Sequence, residues 1–113
     1  MSVTIERLAS LIQRELAPII NQVVKDKSIG YINLTEVKVT KDLSFATIYY
    51  TILSDDEKVI EKARLSLDEA KVTIRMELAK KIKNTRKIPD LIFKYDEALA
   101  YGNKIDRILK TIK

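Results

Sequence analysis

Apolar residues at Ile5, Leu8, Ala9, Ile12, Leu16, Ile19, Ile20 and Val23 recur at intervals of three and four, the spacing of a helix with one buried face. This predicts a first helix from Ile5 to about Val24. Pro18 stands inside it, and because proline lacks an amide donor and crowds the preceding turn, a kink is expected there, or a helix that ends early and restarts. Lys25 to Tyr31 reads as a connector in which Gly30 can adopt a positive φ.

The period then changes from about 3.6 to two. In Ile32 to Val39 the apolar residues Ile32 and Leu34 are followed, one step out of phase, by Val37 and Val39, as a bulge in a single strand would produce. Thr40-Lys-Asp-Leu-Ser44 supplies a turn. Beyond it Ala46, Ile48, Tyr50 and Ile52 line one face of a second strand, with Thr47, Tyr49 and Thr51 on the other. Ser54-Asp-Asp-Glu57 reads as a capping box, with Ser54 as the cap and Glu57 reaching back to it. Ile60, Ala63, Leu67, Ala70, Ile74, Leu78 and Ile82 then keep one helical stripe with no Gly or Pro between them. Asn84 to Pro89 breaks the pattern. Leu91, Phe93 and Tyr95 alternate with Ile92, Lys94 and Asp96 as a third strand, and Ile105, Ile108, Leu109 and Ile112 mark a short terminal helix.

Composition narrows the chemistry more than the fold. The 113 residues suit one domain, 1–113, without repeats or linker-like runs. There is no cysteine and no histidine, so disulfide frameworks, thiolate metal sites and imidazole bases are excluded. No cofactor and no metal are expected. Asp55-Asp56 and Asp96-Glu97 are better explained as helix starts than as catalytic pairs, and no nucleophile has a base beside it. The chain is not read as an enzyme. With 21 Lys+Arg against 16 Asp+Glu, a net charge of +5 and a pI near 9.4, an anionic partner is favoured. No stretch approaches the ~20 apolar residues that span a bilayer, and the start lacks a signal-peptide pattern. A cytoplasmic protein with no membrane and no small-molecule substrate is expected.

The order of elements is α+β, helix-strand-strand-helix-helix-strand, a three-stranded sheet packed against helices and followed by a C-terminal helix. It resembles the type II KH domain. Thr35-Glu-Val-Lys-Val-Thr-Lys-Asp-Leu-Ser44, the Ile74-Arg75 pair followed by Leu78-Ala79, Ile88-Pro-Asp-Leu-Ile-Phe93 and Tyr101-Gly-Asn103 are similar to one branch of it, the bacterial ribosome-binding factor A family. This resemblance implies a non-enzymatic assembly factor that binds 16S ribosomal RNA in the free or immature 30S small subunit and supports its late processing, and a monomer is expected. An ordinary KH domain clamps nucleotides with a Gly-x-x-Gly loop between two helices. This chain has only Gly30 and Gly102, neither in the helical region. The family's Ala-x-Gly kink maps to Ala70-Lys71-Val72, where Val72 replaces the glycine. A shallow kink and an uninterrupted helix are both open at that point.

Arg64, Lys71 and Arg75 fall along one edge of the long helical stripe. From spacing alone this ridge is either a solvated flank paired with Glu61 and Asp68 or a row of phosphate contacts. The resemblance adds weight to Lys71 and Arg75 as RNA contacts. Lys80, Lys81, Lys83, Arg86 and Lys87 form the densest basic run, beyond what a helix C-terminus needs for its own dipole. Lys38 and Lys41 on the strand hairpin complete the candidates, and Tyr49, on the less apolar strand face, is the candidate for stacking on a base. The competing reading is a protein-interaction module whose basic face is incidental.

Overall fold

In the structure, a computed structural model, residues 2–82 and 88–97 are described. The first amphipathic stripe becomes α1 (Ser2–Val23). Ile12, Leu16 and Ile20 on its inner face are fully buried. Pro18 neither ends nor restarts this helix: the side chain lies on an exposed side, and the helix continues to Val23. Gly30 takes its positive φ of 75° at the end of the connector.

β1 (Ile32–Val39) and β2 (Phe45–Ile52) pair antiparallel, and the register slips between Leu34 and Glu36, where the phase change placed a bulge. Thr35, the extra residue, donates its hydroxyl to an Asp96 carboxylate oxygen at 2.6 Å. The turn between the strands is built around Asp42, whose carboxylate accepts from the Thr40 hydroxyl at 2.8 Å and the Ser44 amide at 3.1 Å. Leu43 there takes a φ of 63°.

α2 (Glu57–Lys81) is one helix of 25 residues. It starts later than the capping-box reading expects. Asp56 is the cap, its carboxylate accepting from the Lys58 amide at 2.9 Å, while the Ser54 hydroxyl accepts from the Asp56 amide in the preceding turn. Ala70, Lys71 and Val72 lie inside the unbroken helix, so where the helix-helix order has two helices between the second and third strands, the described residues carry one. With no Gly or Pro between Glu57 and Lys81, nothing in the sequence opposes that continuity. β3 (Asp90–Tyr95) runs parallel to β2, and the sheet order is β1-β2-β3. Both helices contribute to one core, in which Ile12, Leu16 and Ile20 join Ile48, Leu67, Ile74, Leu78 and Leu91. The expected C-terminal helix, with Ile105, Ile108, Leu109 and Ile112, lies outside the described residues.

Candidate nucleic-acid interface

Parallel pairing of β2 and β3 puts both strand starts at one end of the molecule, where the Asp90 amide donates to the Ser44 carbonyl at 2.9 Å. The C-terminal half of α2 reaches the same end through Arg75. Its guanidinium donates to the carbonyls of Ile88 at 2.7 Å and Pro89 at 3.3 Å, and lies 3.5 Å from the Asp90 carboxylate. Lys41 in the hairpin turn and Lys80 and Lys81 at the end of α2 thus belong to one basic end of the fold. Lys83, Arg86 and Lys87 lie outside the described residues.

The ridge on α2 exists as a line of cations, but each has a carboxylate partner. Arg64 binds Glu61, its neighbour three residues before, and reaches Asp68 at 3.7 Å. That pairing holds the Glu61 carboxyl below its ordinary range and raises the guanidinium. Lys71 lies 3.8 Å from the other oxygen of Asp68. Arg64 is eleven residues from Arg75, about 16 Å along the helix at ~1.5 Å per residue, and so belongs to the opposite half of α2. Lys80 pairs with Glu77 at 3.1 Å. By contrast Lys38, Lys41 and Lys81 are exposed and form no ion pair among the described residues.

On the sheet face away from the core, the Lys38 ammonium stands 5.6 Å from the centre of the Tyr49 ring, within cation–π range. Lys94 of β3 is the register partner of Tyr49 on its other side. Lys94 is not among the candidates that the sequence pattern singles out. Alternation already put it on the non-core face, but only knowledge that β3 lies beside β2 brings it to Tyr49. Of the other aromatic residues, Tyr50 is fully buried with its ring edge-on to Tyr95 at 5.8 Å, whereas Phe45 and Tyr31 are exposed.

A cleft of about 640 Å³ runs between the second half of α2 and the start of β3. Lys71 and Arg75 border it, and its wall is mainly apolar: Phe45, Val72, Met76, Ala79, Ile88 and Ile92. Val72 and Met76 are 71% and 59% exposed, an apolar strip on the helix side opposite the core. The sequence shows these residues as interruptions of the polar face. Their meeting with Phe45 and Ile92 depends on the tertiary fold. Among the described residues no cluster of metal-ligating side chains occurs, and no helix is long and apolar enough to cross a membrane.

The sequence profile of ribosome-binding factor A matches residues 4–109. Ribosome-binding factor A of Phytoplasma mali (strain AT) is 55% identical over 112 residues, covering 99% of this chain and 98% of the relative. That of Streptococcus uberis is 43% identical over 108 residues, 96% and 92% of the two chains. The crystal structure of ribosome-binding factor A from Thermus thermophilus superposes with a TM-score of 0.68 at 24% identity, over 80% of this chain and 94% of that one. A homology model of the Thermus thermophilus factor, fitted into a cryo-electron-microscopy map of its complex with the 30S subunit, gives 0.66 over 79% and 91%. These likenesses show the KH-like α+β fold.

Proposed function

Because the chain belongs to the ribosome-binding factor A family, we propose that it binds the free or immature 30S small ribosomal subunit through 16S ribosomal RNA and supports late maturation of that RNA, acting in the cytoplasm as a monomer and not as an enzyme. The observation that carries this reading is the match of the family profile over residues 4–109, with 55% identity to a relative along nearly the whole chain. The Thermus thermophilus factor, fitted as a homology model into a map of its 30S complex, supports the choice of partner.

Charge supports the same reading. Lys38, Lys41, Lys81 and Lys94 are exposed cations without carboxylate partners among the described residues, available to phosphate at little cost. Lys71 and Arg75 remain candidate contacts, but a phosphate that took them would compete with Asp68 and Asp90. Sedimentation of the protein with separated ribosomal particles tests the proposal. Cosedimentation with free small subunits, and not with large subunits or joined ribosomes, is expected. Equal occupancy of large subunits would overturn it.

A further inference from the structure

The two edges of the sheet are treated differently. On β1, Asn21 of α1 accepts from the Ile32 amide at 2.8 Å and donates to the Ile32 carbonyl at 2.9 Å, and Gln13 donates to the Leu34 carbonyl at 3.4 Å. The bulge at Thr35 interrupts the rest of that edge. Side chains and a bulge are common means of keeping an edge from pairing with another chain. β3 has no such cover beyond Arg75 at Ile88 and Pro89 among the described residues. The Asp90 and Asp96 amides donate into β2, so by strand alternation the amides and carbonyls of Leu91 and Phe93 point away from the sheet.

That edge, uncovered among the described residues, borders the apolar cleft. Three features there disfavour a nucleotide. The amides of Ala70, Lys71 and Val72 lie inside a continuous helix, so the backbone cradle of a Gly-x-x-Gly loop is absent. The two cations at the rim, Lys71 and Arg75, each already face a carboxylate, Asp68 at 3.8 Å and Asp90 at 3.5 Å, with which a phosphate would compete. The wall offers aliphatic side chains, with Phe45 as its one aromatic ring. A rim of charge-paired side chains, a strand edge uncovered among the described residues and an aliphatic wall together match an extended polypeptide, whose backbone pairs with the strand while alternate side chains enter the cleft.

Building on the proposed small-subunit binding, we infer that an extended protein segment of the small-subunit particle adds to β3 as a fourth strand, placing uncharged aliphatic side chains against Val72, Met76 and Ile92. Amide hydrogen exchange of the full chain, free and bound to small-subunit particles, tests this. The Leu91 and Phe93 amides are expected to slow at least tenfold on the particle and to stay unprotected with saturating mixed-sequence single-stranded oligoribonucleotides. The double variant Val72→Gln, Met76→Gln, uncharged and at exposed positions, is expected to bind particles about tenfold more weakly with an unchanged salt slope. Protection by the oligoribonucleotides would assign the cleft to RNA and overturn the inference, as would undiminished binding by the variant. Particle binding without protection at Leu91 and Phe93 removes this inference alone, whereas no particle binding at all removes the proposed function with it.

Discussion

Tyr50 carries a phenol into the core with its hydroxyl unpartnered among the described residues, and burial pushes its pKa up to about 12. A buried hydroxyl without a partner costs about 1 to 3 kcal/mol, so Tyr50→Phe, which keeps the ring against Tyr95, is expected to raise stability by about 1 kcal/mol. Urea unfolding at neutral pH measures it, and a loss of stability would show that the hydroxyl is bonded. Two carboxylates outside the core, the partly buried Asp26 and the exposed Asp42, behave in the opposite way. The Ser28 hydroxyl and amide, then Lys62, hold Asp26 at about 2, and the Thr40 and Ser44 side chains with the Ser44 amide hold Asp42 at about 2, both below the ordinary 3.8. The fold therefore favours their ionised forms. Their contribution is complete above about pH 4 and is lost as the pH falls toward 2. Replacing both by Asn is expected to flatten the fall of the urea midpoint between pH 5 and pH 2; an equally steep fall in the double variant would assign it to other carboxylates.

At the scale of elements, α2 shows what periodicity reveals and what it hides. The stripe from Ile60 to Ile82 foretold a long helix, and the absence of Gly and Pro left it whole, so the backbone at Ala70 to Val72 is spent on helical hydrogen bonds. Val72→Gly restores the glycine at a solvent-facing position. It is expected to cost about 0.3 to 0.5 kcal/mol through helix propensity, since valine is itself a modest helix former, and to speed amide exchange around residues 70–74. Unchanged exchange would mean that tertiary packing alone holds the helix there. The bulge in β1 was legible because a slip of one residue moves every later side chain to the other face, and Val37 and Val39 record that slip. The cap was misplaced by two residues because Ser54 and Asp56 are both good acceptors, and local sequence does not say which one ends the turn. Strand order was not legible either. Nothing in Ile88 to Tyr95 states that β3 runs beside β2, and Lys94 next to Tyr49, the cleft and the reach of Arg75 all follow from that placement.

For the whole molecule, the parallel β2-β3 pair gathers the hairpin turn, the start of β3 and the end of α2 at one pole, and the cations there divide by what already holds them. Lys41 and Lys81 are exposed and unpaired among the described residues, whereas Arg75 spans two main-chain carbonyls and Asp90. A cation free in the unbound protein contributes to RNA affinity through counterion release, but one that fastens the fold must first surrender its partners. The double variant Lys41→Ala, Lys81→Ala is therefore expected to lower the slope of log affinity against log salt by about 1.5 to 2 units, with no change in the urea midpoint. Arg75→Ala is expected to do the reverse. Loss of the Ile88 and Pro89 hydrogen bonds frees the entry of β3 and costs about 1 to 3 kcal/mol of stability, while the salt slope moves by less than about one unit. Salt titration of small-subunit binding and urea unfolding of the same preparations separate the two effects. If Arg75→Ala keeps full stability and lowers the slope by a whole unit, its guanidinium is a phosphate ligand, and the link between α2 and β3 is carried by packing instead.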